Sequence, residues 1–292
     1  MRKFRKIFSK NKPIVIGMVH CASLLGYENS PGIKEVEKKF MQDLRALVNG
    51  GVDAVMIENN YDIPHYEKAK LSTIPQLTDL CLKARKFTKK PLGLCVLWND
   101  YETALSIARI ADFQFVRIPV FVDKVKTHYG IFEPKANECI RFREEIKSKD
   151  ILIFADVHVK HAKHLIIKSL RMAVKEAVRE KADGIIITGD WTGHPPREKD
   201  VLEAKKAAGD IPVLLGSGIN PKNIKKYDVD GMIVGSYFKG EGDLREKDFH
   251  NIFSYKAKIK KERVRKFMEG LNSISKNKKR RDSKWSTLTR KG

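Results

Sequence analysis

Eight short runs of apolar, largely β-branched residues recur along the chain: IVIGMVH (14–20), DAVMIEN (53–59), LGLCVLW (92–98), FQFVRIPV (113–120), ILIFADV (151–157), GIIITG (184–189), PVLLGSG (212–218) and GMIVGS (231–236). Within each run apolar residues follow one another with little polar alternation. A strand covered on both faces needs that pattern, so the runs predict a parallel sheet. Between them lie segments of helical period. VEKKFMQDLRALVNGG sets Val36, Phe40, Leu44 and Leu47 on one stripe, and SLRMAVKEAVREKADG does the same with Leu170, Val174 and Ala177. Each ends near a glycine able to terminate a helix. Eight such repeats close into a barrel, whereas an open doubly wound sheet usually has fewer strands and a switch point. The expected fold class is therefore α/β, a single-domain (β/α)8 TIM barrel. Its last helix, in NIFSYKAKIKKERVRKFMEG, is helical in period yet strongly basic, and is expected to begin folded and run into the tail.

Charge divides the chain further. The net charge of +22 is concentrated at the ends: residues 1–12 carry +6 and residues 255–292 carry +12, which leaves +4 for everything between. The expected organisation is a basic N-terminal extension (1–12), the barrel (13–270) and a basic, disordered tail (271–292). Such a tail suits polyanions such as RNA, DNA or an anionic lipid surface, or is a solvated segment that only aids solubility. No apolar run approaches the ~20 residues of a membrane span, and the N-terminus lacks the apolar core of a secretory signal. A cytoplasmic protein is expected, peripheral to the inner membrane face if the tail binds lipid; nothing in the pattern opposes a homo-oligomer. Cys21, Cys81, Cys95 and Cys139 have no CxxC spacing and read as reduced thiols, Cys95 in the core and Cys21 at a strand end.

In a barrel of this kind the polar residues at the C-terminal strand ends face the site. Reading each run to its end nominates His20, then Glu58 and Asn59, then Asn99 and Asp100, then Arg117. The fifth run is the densest. In FADVHVKH, Asp156, His158 and Lys160 alternate with Val157 and Val159, so a period of two sends all three to one face. That trio suits acid–base work, with Glu58 beside it; Lys160 could instead form a Schiff base or hold a phosphate. A buried ion-pair network at the top of the barrel would use the same residues. Glu58, Asp156 and His158 could also hold a divalent cation, although no compact metal motif supports one and no cofactor is expected. His161 and His164 are expected to face solvent. The sixth run ends in TGDWTGHPP, which offers Thr188 and Asp190 as ligand contacts and Trp191 as a lid over a planar group.

Runs seven and eight lead directly into Gly-Ser pairs, in LLGSGINPKNI and IVGSYFKGEGD. Barrels that bind phosphorylated ligands often hold the phosphate on backbone N–H groups of these two loops and a short helix N-terminus. Gly216, Ser217, Gly218, Gly235 and Ser236 are thus the expected phosphate cradle, with Asn220 as N-cap and Pro221 as the first residue of the short helix.

The same segments resemble a known family. GMVH, GVDAVMIEN, FADVHVKHA, TGDWTG, LLGSGINPKNI and DGMIVGSYFKGEGD together are similar to the BtpA/SgcQ family of TIM-barrel proteins, over Pro13 to Phe253. The resemblance implies a fold akin to the ribulose-phosphate-binding barrels and a phosphate site at the five glycine and serine residues above. It implies no settled reaction, since members are linked to photosystem I biogenesis or to sugar metabolism. Where the family usually has a proline-rich loop after GMVH, this chain reads CASLLGYENSPG, so contacts from that loop are expected to differ. The leading expectation is a barrel that binds a phosphorylated sugar or nucleotide-like molecule, as an isomerase, lyase or aldolase-type enzyme. The alternatives are a non-catalytic assembly factor for a membrane complex of photosystem I type, and an RNA- or ribosome-associated protein.

Overall fold

The computed structural model describes residues 1–8, 13–239 and 255–273. In chain order the elements are α1 (Arg2–Phe8), β1 (Ile14–His20), α2 (Ile33–Gly50), β2 (Ala54–Glu58), α3 (Thr73–Phe87), β3 (Leu92–Cys95), α4 (Tyr101–Ile110) and β4 (Phe115–Ile118). A short hairpin follows, β5 (Val125–Thr127) and β6 (Gly130–Phe132), then α5 (Ala136–Glu145), β7 (Leu152–Val157) and β8 (Lys163–His164). The last part holds α6 (Leu170–Arg179), β9 (Gly184–Ile187), α7 (Glu198–Ala208), β10 (Val213–Leu215), β11 (Gly231–Val234), α8 (Ser236–Lys239) and α9 over residues 261–273. Strands β1-β2-β3-β4-β7-β9-β10-β11 pair in parallel and close into a barrel. Each of the eight apolar runs supplies one barrel strand, so the TIM barrel expected from the pattern is the fold. The residues from 274 onward, where a disordered tail was expected, lie outside the described residues.

A strand sends alternate side chains to opposite faces. Ile14, Ile16 and Met18, with Met56, Phe115, Phe154, Ile186, Leu214 and Ile233, fill the barrel interior. Their neighbours Val15, Val55, Val116, Ile153, Ile185 and Val213 pack outward with the helices. Gly93 makes the interior filling possible: a Cβ there would lie 2.0 Å from the ring of Phe115, which stacks on Phe154 at 5.0 Å between centroids.

The lower rim of the barrel is held by four reciprocal pairs. Asp53, just before β2, donates its N–H to the Val15 carbonyl at 2.9 Å and accepts the Val15 N–H on Oδ2 at 2.9 Å. Gln114 does the same with Leu92 (2.8 and 3.0 Å), Asp183 with Ile153 (2.8 and 3.1 Å), and Asp230 with Val213 (3.0 and 2.9 Å). The clamps join strands one to two, three to four, five to six and seven to eight of the barrel. A slip of one residue would turn every side chain to the wrong face. Each clamp penalises that slip by leaving a partly buried N–H and carbonyl unpaired.

Three elements go beyond the sequence expectation. The basic N-terminal segment contains α1, whose Phe4 and Phe8 are buried against each other and against Phe154 and Phe115, so it floors the barrel. At the other end of the chain, α9 continues past the boundary expected at residue 270 and buries Val264, Phe267, Met268 and Leu271. Ile259, just before it, donates its N–H to Asp43 of α2 at 3.0 Å, and Asp43 also takes the buried ammonium of Lys39. Above the barrel, β6, β5 and β8 form a small antiparallel sheet that ties the loop after β4 to the loop after β7.

Two outcomes follow. Asp230→Ala lowers the stability to urea unfolding by about 1–3 kcal/mol, while Asp230→Asn loses much less, because the amide of Gln114 shows that a neutral acceptor makes the same clamp. Phe4→Ala lowers it by roughly 3 kcal/mol through the cavity left in the barrel floor. An unchanged midpoint for the alanine variants in urea titrations followed by circular dichroism would remove the clamp or the floor from the account.

Candidate functional site

The C-terminal ends of the strands surround a cavity of about 300 Å³. Its lining includes His20 from β1, Glu58 from β2, Arg117 from β4, Lys160 beyond β7, Gly216, Ser217 and Gly218 beyond β10, and Gly235, Ser236 and Lys239 beyond β11. The cavity therefore collects side chains from strands that are far apart in sequence.

Its floor is an ionic layer. Arg117 donates from Nε and Nη2 to the two oxygens of Asp156, both at 2.7 Å, and its Nη1 stands 3.5 Å from Glu58 Oε2. Burial works against the guanidinium charge and the Asp156 carboxylate outweighs it, so the pKa of Arg117 is raised. On the other side of Glu58, Oε1 lies 3.7 Å from His20 Nε2. Burial, reinforced by Lys239 and Lys160, holds the His20 pKa well below its ordinary value, so this imidazole is neutral. Its Nδ1 is buried and has no hydrogen-bond partner among the described residues.

Two lysines complete the charge. Burial and then Arg117 push the ammonium of Lys160 down to about 8, with Glu58 and Asp156 opposing. Burial and then Lys39 do the same to Lys239, also to about 8. Neither ammonium makes an ion pair or hydrogen bond among the described residues, although Lys239 Nζ lies 5.5 Å from the centroid of the Tyr61 ring. Among the lining residues Glu58 is the one carboxylate, against Arg117, Lys160, Lys239 and Arg263, so the lining carries an excess of positive charge.

The fifth run does not present three groups to one opening. Alternation holds through Asp156, which points inward and is taken up by Arg117. It breaks at His158, where φ is +52° and the N–H donates to Asp123 at 3.0 Å. Asp123 belongs to the loop carrying β5, so the small sheet pulls the chain outward. The ring of His158 lies 5.0 Å from that of His164, outside the mouth cavity, and only Lys160 returns to the lining. Glu58, Asp156 and His158 thus do not converge, so the alternative of a divalent cation on these three is not met by the geometry. Among the described residues no group of three or more His, Cys, Asp or Glu side chains is arranged to hold a metal ion.

Several nominated residues prove to hold loops. Asn59 accepts the Leu97 N–H at 2.7 Å and donates to Asp62 at 3.2 Å, and Asn99 exchanges hydrogen bonds with the backbone of Val120 at 2.9 and 3.2 Å. Neither lines the cavity; a buried amide satisfied on both ends is a strut. Asp100 caps α4 by accepting the Thr103 N–H at 3.0 Å. Thr188 and Asp190 face a second hollow between α6 and α7, where Asp190 lies 3.5 Å from His194. Trp191 stacks on His194 at 4.5 Å and is not part of the lining. His161, expected in solvent, lines the cavity and meets the hydroxyl of Thr192 at 2.7 Å. Cys21 is buried and its thiol is pushed well up by burial, so it is not a reactive thiolate.

All five nominated glycine and serine residues do line one wall. The Ser217 hydroxyl, however, is committed to the protein: it donates to the His194 carbonyl and accepts the Gly189 N–H, both at 2.8 Å. The backbone N–H groups of Gly218 and Ser236 have no acceptor among the described residues. A Cβ on Gly235 would stand 2.9 Å from His20 Cε1, so glycine keeps the wall open beside the imidazole. Asn220 accepts the Lys222 and Asn223 N–H groups at 2.9 and 3.3 Å, but the turn it caps leads into a single 3-10 turn, Ile224–Lys226, rather than an α-helix.

Lys239, Tyr61, His65, Trp98, Tyr129 and Arg263 also line the cavity and were not nominated. Lys239 had a signal, since it sits in the GSYFKG segment at the end of the short helix that starts at Ser236. The others come from loops and from α9, where no strand ordinal marks direction.

Known proteins share both sequence and architecture with this chain. The profile of the BtpA family matches residues 10–273. A Synechocystis sp. protein named photosystem I biogenesis protein BtpA is 35% identical over 244 residues, covering 82% of this chain and 84% of its own. An uncharacterized protein of Pyrococcus furiosus is 38% identical over 242 residues, covering 81% and 90%. Among solved structures, KGPDC from Streptococcus mutans has a TM-score of 0.55 at 13% identity, covering 90% of this chain and 99% of that one. N-(5'-phosphoribosyl)anthranilate isomerase from Pyrococcus furiosus has 0.53 at 12% identity, covering 89% and 99%. At these identities the two enzymes are alike in fold alone. The profile match runs from before β1 to the end of α9, and the relatives align over most of both chains: this chain belongs to the BtpA family.

Proposed function

We propose that the barrel binds a phosphorylated small molecule, a sugar or nucleotide-like phosphate, and isomerises or cleaves it by proton transfer. The observation that carries this reading is the pair of unpaired ammonium groups, Lys160 and Lys239, in a cavity walled by the Gly216–Gly218 and Gly235–Ser236 loops. A buried charge without a counter-charge is costly, the Tyr61 ring over which Lys239 lies offsets only part of that cost, and an anionic ligand removes the rest. The name of the isomerase of similar fold includes a phosphoribosyl group, in keeping with such a ligand.

In this reading the backbone N–H groups of the two loops hold the phosphate. The neutral imidazole of His20 takes or gives a proton at its free Nδ1, and Glu58 beside Nε2 stabilises the imidazolium that forms. Lys160 and Arg117 face negative charge that develops on the substrate oxygen. Asp156 supports Arg117 and does not itself move protons. No cofactor is needed for such chemistry, and the barrel would work in the cytoplasm.

A second reading rests on the name of the Synechocystis relative: a non-catalytic assembly factor at the inner membrane face. Among the described residues no helix is long and apolar enough to cross a membrane, so contact would be peripheral, through the basic residues 274–292. Loss of pelleting with anionic vesicles on truncation at residue 273 would favour it over RNA binding by the same tail.

For the leading reading, a phosphorylated metabolite at a hundredfold excess over its Kd raises the melting temperature by roughly 5 °C, and Ser236→Asp, which puts a carboxylate in the cradle, abolishes the shift. A panel of phosphorylated metabolites giving no shift in the wild type would sink the reading. The two lysines also set a pH dependence. Both are charged below about 8 and lose charge above it, so phosphate affinity falls as pH rises through 8. Without ligand the sign reverses: between pH 8 and the ordinary lysine range the unfolded chain binds more protons, so the empty barrel gains stability with rising pH. Lys239→Met accordingly stabilises the empty protein at pH 7, by about 1–3 kcal/mol, while weakening ligand binding. Calorimetric melts and titrations across pH 6 to 10 check both signs.

A further inference from the structure

Opposite the glycine loops the cavity changes character. In the strand order of the closed barrel, the loops after β3 and β4 lie four places round from those after β10 and β11, on the facing wall. The lining there is Leu97, Trp98 and Tyr129, joined by His65 from beyond β2 and Val159 from beyond β7. Trp98 and Val159 pack into a buried apolar cluster with Val120, Val125 and Phe132. His65 meets the Tyr129 ring edge to face at 4.8 Å between centroids.

Two polar atoms on this apolar wall are left over. Trp98 is 7% exposed and His65 6%. Trp98 Nε1 and His65 Nδ1 are buried and have no hydrogen-bond partner among the described residues. An indole N–H can only donate. Burial pushes the His65 imidazole down to about 4, so Nδ1 offers a neutral donor or acceptor and no charge. Buried polar groups in native proteins are generally paired, and both residues line the cavity. What completes them has to be flat or apolar over most of its surface and polar at its edge. An alkyl chain would leave both atoms dry. A second phosphate would lie among uncharged side chains, when Lys160 and Lys239 stand elsewhere to receive it.

We propose that this wall binds a planar, polar ring carried by the same ligand whose phosphate lies in the glycine loops, which makes the substrate class a nucleoside 5'-monophosphate or similar ring-bearing phosphate ester. The inference rests on the phosphate reading and narrows it. The ring packs against Trp98, Tyr129 and Val159, one of its edge acceptors takes the Trp98 N–H, and a neighbouring edge group meets His65 Nδ1. The sugar then spans the middle of the cavity, above His20, Glu58 and Lys160, where the proton-transferring groups are.

The test is isothermal titration of the full chain with three kinds of probe: ribose 5-phosphate, the nucleoside 5'-monophosphates AMP, GMP, CMP and UMP, and the corresponding nucleosides. At least one nucleotide is expected to bind about tenfold or more tightly than ribose 5-phosphate. Trp98→Phe, which keeps a ring and removes the N–H, is expected to weaken that nucleotide about fivefold to tenfold and to leave ribose 5-phosphate unchanged. His65→Phe is expected to act the same way, and melting curves of both variants report whether they fold. If ribose 5-phosphate binds and no nucleotide binds more tightly, or if the two variants affect both ligands alike, the ring proposal fails while the phosphate reading stands. Nucleosides that match their nucleotides would instead keep the ring and overturn the phosphate. Binding by none of the probes overturns both.

Discussion

The register of eight parallel strands is the constraint from which the site follows. Only one of the two side-chain sets on each strand can enter a closed barrel, and a shift by a single residue exchanges them. Asp53, Gln114, Asp183 and Asp230 make that choice at the lower rim, each binding the N–H of the preceding barrel strand while giving its own N–H to the same residue. With the register held, His20, Glu58, Arg117 and Asp156 have no freedom over where they point. They arrive at one level above the stacked rings of Phe115 and Phe154.

That level separates a filled barrel from an open one. Below it the interior is apolar and closed by Phe4 and Phe8 of α1. At it, Arg117 and Asp156 neutralise each other through two hydrogen bonds and so can be buried, which a single unpaired charge in that position could not. Glu58 links this pair to His20, with one oxygen 3.5 Å from Arg117 and the other 3.7 Å from the imidazole, and both Glu58 and His20 line the cavity. The excess positive charge of the cavity comes from Lys160, Lys239 and Arg263, and the two buried lysine ammonium groups make no ion pair among the described residues. The large charge of the whole chain has little to do with this, because most of it lies at the two ends.

Placing side chains from strand ends holds where a residue still belongs to a strand, and fails one or two residues later. His20, Glu58, Arg117 and Asp156 are strand residues and point where a period of two says they should. His158 is the first residue beyond β7; its backbone is turned by the hydrogen bond to Asp123, and no alternation survives that turn. Asn59 and Asn99, equally polar and equally placed after a strand, are drawn into bonds that hold their own loops. Loop residues answer to partners that are distant in sequence, so neither composition nor spacing tells a strut from a ligand contact. The same reason hides Trp98, His65 and Tyr129, whose position depends on the small sheet of β5, β6 and β8, formed from runs of three residues or fewer.

The sequence by itself determined the fold, the order of the strands and the location of the glycine loops, because each depends on local pattern: continuous apolar runs, helical stripes between them, and Gly-Ser pairs directly after strands. It also determined that the basic charge sits at the ends. Only the tertiary structure decided which polar groups satisfy one another and which are left without a protein partner. Hydrogen-bond satisfaction is a property of pairs brought together across the barrel, as with Arg117 and Asp156 or Ser217 and His194, and a linear pattern holds no record of distance. Lys160 and Lys239, which make no ion pair, and Trp98 Nε1 and His65 Nδ1, which have no protein partner among the described residues, are what such pairing leaves over.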